Sequence, residues 1–176
     1  MGIEENRDAR EEKISTIAGA GHGADQSLIQ EGKKQVVVFQ THGQSFALDI
    51  QNVVEVQTIE QVTEVFNTPP FVVGVVNIRG DIIALLDIGL FFEMEPTQWE
   101  KGKKMVIAQH GKQDACFMAD RMAGVQWIEQ EKIDPPPPTL ADVSSHWIDG
   151  VHQEDGDPLI ILDIPAIFES DRIEEL

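Results

Sequence analysis

The chain repeats itself, and that constrains its fold more than any other feature. Phe71–Glu93 lies ungapped over Trp147–Glu169 for 23 positions with nine identities, on a skeleton of Gly-Val, Gly-Asp, Leu-Asp-Ile and Phe-Glu. Upstream, Val56–Gln61 matches Val125–Gln130 at five of six positions. Further upstream again, His42-Gly43 and His110-Gly111 occupy comparable places. From the Val56 block to the Phe71 block the offset between copies grows from 69 to 76, and the proline run Pro135–Pro138, which favours an extended connection, supplies the extra length. Matched blocks in the same order mean two copies of one supersecondary unit. The repeat is also an internal control: a residue type kept in both copies serves the fold, and one that differs is open to other uses.

The unit is a β unit. Val36–Gln40, a turn through His42-Gly43, and Ser45–Leu48 read as a hairpin, and Val53–Thr58 as a short strand. Phe71–Ile78 and Ile82–Asp87 read as a second hairpin around Arg79-Gly80-Asp81, apolar at nearly every position as strands covered on both faces are. Strand texture returns at Met105–Gln109, Ala115–Ala119, Val125–Glu129, Trp147–His152 and Leu159–Leu162. Ile88–Phe92 suits one helical turn, and no segment carries a long amphipathic helical period. The expectation is an all-β fold of two similar subdomains of about five short strands, each a small barrel whose closure removes exposed edges. Residues 1–34, rich in charge, Gly and Ala and without sustained apolar period, read as a flexible acidic tail ahead of a domain over 35–170, with 171–176 as an acidic end.

Thirteen basic against 31 acidic residues leave a net charge of −18, which argues against nucleic acid and anionic membrane surfaces as partners. Cys116 is the only cysteine, so no internal disulfide is expected, and the setting reads as reducing and cytoplasmic. Met1–Lys13 has no apolar run of the kind a leader or anchor needs. Asp87 and Asp163 could be a carboxylate pair for acid–base chemistry. They are equivalent repeat positions, however, each at a strand end before a helical turn, where an Asp accepts hydrogen bonds from free helix N–H groups. His22, His42, His110, His146 and His152 show no metal-ligand spacing, and Cys116, inside an apolar strand, reads as a buried inert thiol. The Gly19–Ala24 stretch fits a dinucleotide fingerprint but lies in the tail, away from any strand–helix junction. No catalytic constellation, cofactor site or metal site is expected.

One side chain departs from its surroundings. Between Gln35 and Glu100, Arg79 is the only Lys or Arg, and it stands at a hairpin tip where the other copy has Asp155. The fold therefore does not require Arg there. A guanidinium on an acidic surface can take a carboxylate bidentately, from a partner or from its own Glu55 or Asp81; an internal pair would also hold it in place for a partner.

Phe46–Ile50 (Phe-Ala-Leu-Asp-Ile), Val53–Val56, Asn67–Pro69, Gly74–Gly80 (Gly-Val-Val-Asn-Ile-Arg-Gly) and Leu85–Ile88 follow one another in an order that resembles the CheW-type chemotaxis coupling proteins. The resemblance extends over about Gln35–Ser170. It implies two five-stranded SH3-like barrels sharing a core, and a non-catalytic adaptor that links the cytoplasmic tip of a chemoreceptor to the regulatory domain of a CheA-type histidine kinase. The location implied is cytoplasmic, at membrane-associated receptor arrays. It also implies a receptor-facing region containing Arg79 and Asn77 of the Asn-x-Arg-Gly hairpin together with Val53 and Glu55. Coupling in a pilus-motility or other chemosensory-like pathway, or a small-molecule-binding β module, are the alternatives. Where the family commonly continues Asp-Leu-Arg after the hairpin, this chain has Asp87-Ile88-Gly89, so any contact made by that Arg is in doubt.

Overall fold

The computed structural model describes residues 32–137, 145–153, 156–170 and 173. The first repeat supplies β1 (Lys33–Thr41), β2 (Gln44–Asp49), β3 (Val53–Thr58), β4 (Val72–Ile78) and β5 (Asp81–Leu86). The second supplies β6 (Lys104–His110), β7 (Gln113–Ala119), β8 (Arg121–Glu129), β9 (Ile133–Asp134), β10 (Ile148–His152) and β11 (Leu159–Leu162). Short 3-10 turns fill Ile50–Asn52, Ile88–Phe92 and Gln130–Lys132, and one α-helical turn, α1, spans Ile164–Phe168. The β1–β2 and β4–β5 hairpins turn on His42-Gly43 and Arg79-Gly80, all four at positive φ. That is the backbone twist which tight two-residue hairpins need.

The strands assort into a five-stranded sheet ordered β3-β6-β7-β5-β4 and a six-stranded sheet ordered β8-β1-β2-β11-β10-β9. The leading hairpin of each repeat is thus exchanged. β6–β7 completes the sheet begun by β3–β5, and β1–β2 completes the sheet of β8–β11. The junctions are equivalent: β3–β6 and β1–β8 are antiparallel, while β5–β7 and β11–β2 are parallel. The irregularities match as well. Register shifts fall between Val53 and Glu55, opposite β6, and at Val38/Phe39, opposite Gly124 and Met122 of β8. They recur at Val72/Gly74 and at Ile148/Gly150.

Exchange explains which strands are apolar on both sides. On β6–β7, Val106, Ala108 and Phe117 face a central cluster with Phe39, Phe46, Phe71, Phe91, Trp147 and Phe168, while Met105, Ile107, Cys116 and Met118 fill the five-stranded barrel. On β1–β2, Phe39, Phe46 and Leu48 face the centre, while Val36, Val38 and Ala47 fill the six-stranded barrel. The central cluster is the core that both barrels share. Period two sends alternate side chains to different cores.

Three expectations need correction. The β4–β5 hairpin is not covered on both faces: β4 is an edge strand, several of its side chains are half-buried, and Ile82 on β5 is 65% exposed. β1 starts at Lys33, inside the segment read as tail, because Lys33 and Lys34 pair with Glu129 and Ile128 and Lys34 bridges Asp49 and Asp149. At the other end, Ile173 is buried in the central cluster, so the folded part reaches past residue 170. Residues 1–31, Asp155 and Pro138 lie outside the described residues.

Candidate functional site

Arg79 takes its position from the tightest part of the β4–β5 hairpin. Its φ is 55°, a left-handed backbone that a non-glycine residue seldom adopts. Asn77 Oδ1 accepts a hydrogen bond from Gly80 N at 2.9 Å and closes the turn. With the backbone fixed, Arg79 Nη2 donates to Glu55 Oε2 at 2.8 Å. Glu55 is held in turn: its Oε1 accepts from Gln57 Nε2 at 3.1 Å, and its side chain is 16% exposed against 69% for Arg79. Since β3 and β4 are the two outer strands of their sheet, the pair spans the seam where the barrel closes. Thr63 and Val75 exchange two backbone hydrogen bonds across the same seam.

Of the two internal partners open to Arg79, the structure selects Glu55. Such an exposed pair is worth about 0–1 kcal/mol to folding, so its main effect is on orientation. Most of the guanidinium faces solvent, where a second carboxylate could meet it. Arg79, Glu55 and Asn77 lie together at this turn. Val53 lies on the other side of the register shift in β3 from Glu55 and is half-buried against the central cluster. Ile82 was missed. It pairs with Asn77 across the hairpin and adds an exposed apolar side chain next to the charged one. An arm apolar at nearly every position gave no period to show which residue faces outward.

The two aspartates are caps. Asp87 Oδ1 accepts from Gly89 N at 3.0 Å, and Asp163 Oδ1 accepts from Ala166 N at 2.9 Å, the first N–H groups of the helical turns that follow. Asp87 does more. It is 2% exposed; His42 Nε2–H donates to its Oδ1 at 2.6 Å, and Thr97 N and Oγ1 donate to its Oδ2. His42 belongs to the β1–β2 hairpin and Asp87 follows β5, so this contact ties one barrel to the other. Gly89 makes it possible. A Cβ at that position would overlap the His42 ring, so glycine here leaves room for the imidazole. At the equivalent place in the second copy stands Pro165, and His110 pairs with Glu169 at 3.3 Å instead. Cys116 is buried, and burial, with smaller contributions from Asp114 and Glu55, pushes its thiol up to about 12.

Residues 35–172 match the family described as the CheW-like domain. The chain belongs to the CheW-like domain family. Chemotaxis protein CheW of Helicobacter pylori is 29% identical over 137 residues, covering 78% of this chain and 82% of that one. CheW of Thermotoga maritima is 28% identical over 144 residues, 80% and 91% of the two chains. CheW of Klebsiella aerogenes is 24% identical over 140 residues, 80% and 84%. Among solved structures, the scaffolding protein TtCheW from Thermoanaerobacter tengcongensis superposes with a TM-score of 0.69 at 29% identity, covering 79% of this chain and 94% of that one. This CheW-like chain is a chemotaxis coupling scaffold with paired SH3-like barrels, and the reading as a stand-alone small-molecule-binding module is not favoured. No helix among the described residues is long and apolar enough to cross a membrane.

Proposed function

We propose that this CheW-like protein is a non-catalytic adaptor of the cytoplasm that holds a chemoreceptor tip and the regulatory domain of a CheA-type kinase together. In this reading the surface formed by Arg79, Glu55, Asn77 and Val53, with Ile82 beside it, meets the receptor. The observation that carries the reading is the Arg79–Glu55 pair. It aims outward a guanidinium whose counterpart in the sequence repeat is Asp155. A receptor-tip helix presenting a carboxylate beside an apolar residue would find a fork for the first and Ile82 for the second.

The test is a calorimetric titration of wild type, Arg79→Ala and Arg79→Lys with a receptor-tip fragment and, separately, with a kinase regulatory domain. If the interface excludes water, Arg79→Ala costs on the order of 2–5 kcal/mol of receptor affinity. Arg79→Lys also fails, because an ammonium cannot reproduce a bidentate fork. Melting temperatures stay near wild type. Unchanged receptor affinity in both variants removes Arg79 from the site.

A further inference from the structure

The two barrels are built alike, yet their apolar clusters differ. The five-stranded barrel buries Ile59, Val62, Val76, Ile78, Ile83, Leu85, Met105, Ile107, Cys116 and Met118. The apolar cluster of the six-stranded barrel is smaller: Val36, Val38, Ala47, Ile128, Leu159 and Ile161. Repeat equivalence locates the difference. Val76 on β4 becomes His152 on β10, and Val54 on β3 becomes Ala123 on β8. His152 and Ala123 both line an open concavity of about 250 Å³.

The polar part of the cavity lining is His152, Gln40, Ser45, Gln126, Trp127 and Asp157. His152 is 3% exposed, and its Nε2 has no hydrogen-bond partner among the described residues. Leaving a polar nitrogen buried and unpaired costs free energy, and a plain valine would have filled the place. Trp127 is 49% exposed and Asp157 is exposed, so these two form the open rim above a floor that includes His152.

We propose that this hollow receives a basic side chain, the guanidinium of Arg or the ammonium of Lys, from a protein partner. The chemistry of the lining selects that class. The Asp157 carboxylate is an acceptor, and the side-chain oxygens of Gln40, Ser45 and Gln126 can accept beside it, so a cationic donor fits the lining. Asp157 at the rim, on a chain of net charge −18, repels anions and attracts cations. Trp127 offers apolar surface to the methylene stem of a Lys or Arg. Pockets for drug-sized molecules run to about 300–1,000 Å³, and this one falls below that range, on the scale of a side-chain head. The hollow lies in the six-stranded barrel, whereas Arg79 sits on the five-stranded one, so this contact is independent of the Arg79 surface.

The experiment is an NMR titration of the intact protein, following the His152 ring and the Trp127 indole. The probes are N-acetylargininamide, N-acetyllysinamide and, as the neutral control, N-acetylglutaminamide. The two basic probes produce saturable shifts at both side chains, and the neutral one does not. His152→Val installs the residue of the sister barrel; it keeps the fold and weakens the basic probes about ten-fold or more. Ala123→Val fills the hollow from the neighbouring strand, leaves His152 in place and weakens them as well. Three results would overturn the proposal: equal binding of the glutamine probe, unchanged affinity in both variants, or no saturation up to about 100 mM.

Discussion

Asp87 and Asp163 stand at one position of the repeat, yet their surroundings give them unequal weight. Asp163 caps α1 and is half-buried, so Asp163→Ala costs about 1 kcal/mol, the ordinary loss of a cap. Asp87 accepts from Gly89, His42 and Thr97 inside the protein, and its removal strands several buried donors; Asp87→Ala costs about 3 kcal/mol in urea unfolding. Equal losses would mean that the His42 contact adds nothing to the cap. Cys116 offers a pH-dependent counterpart. Its thiol is raised from 9.0 to about 12, first by burial and then by Asp114 and Glu55, so the fold favours the neutral form. That contribution is whole below the unfolded thiol's pKa and is lost as pH rises from about 9 toward about 12. At pH 8, iodoacetamide modifies native Cys116 at least about 100-fold more slowly than the urea-unfolded chain; comparable rates would contradict its burial. Both aspartate caps were legible in the sequence, because a strand end followed by an apolar turn leaves N–H groups to satisfy. The seating of His42 over Gly89 was not, because the two are brought together only by tertiary structure.

At the scale of elements, the Gly-Val step shared by both repeats has a steric cause. A Cβ on Gly74, whose φ is +154°, would lie 2.6 Å from Thr63 O and from Val62 Cγ1. At Gly150 it would overlap Ile133 and come within 2.9 Å of Asp134 O. In each barrel a second segment crosses directly over this glycine: the Thr63–Val75 bridge in one, and β9 pairing with β10 at Asp134–Val151 in the other. Gly74→Ala and Gly150→Ala each destabilise by about 2–4 kcal/mol, since backbone atoms cannot yield as a flexible side chain would. Losses under about 0.5 kcal/mol would show that the crossings are loose. Most strands were readable to within a few residues, because alternate apolar side chains and Gly-containing turns mark them locally. β9 was not, since two residues carry no period. Nor was the hairpin exchange. The repeat alignment says that two units are alike, and nothing along the chain says that β6–β7 pairs with β3–β5 rather than with β8. The positions apolar on both faces of β1–β2 and β6–β7 were the trace of it, and the similarly apolar β4–β5 hairpin masked that signal.

For the whole molecule, exchange has a mechanical consequence. Each barrel contains strands of both repeats, and the central cluster takes Phe39 and Phe46 from one sheet and Val106 and Phe117 from the other. The two barrels therefore hold a fixed relation, which suits a part whose work is to present two partners at a set geometry. An acidic surface with one outward guanidinium on the five-stranded barrel, and a polar hollow in the other, gives the two halves different chemistry on a common frame. The coupling account requires both partners to be held at once. The most direct measurement is titration of the receptor-tip fragment into this protein, alone and already saturated with the kinase regulatory domain, for wild type and Arg79→Ala. The account predicts that kinase saturation leaves receptor affinity in wild type unreduced, and that Arg79→Ala weakens receptor binding by about 2–5 kcal/mol while kinase binding persists. Displacement of the kinase domain by the receptor fragment, or equal loss of both partners in Arg79→Ala, would contradict it.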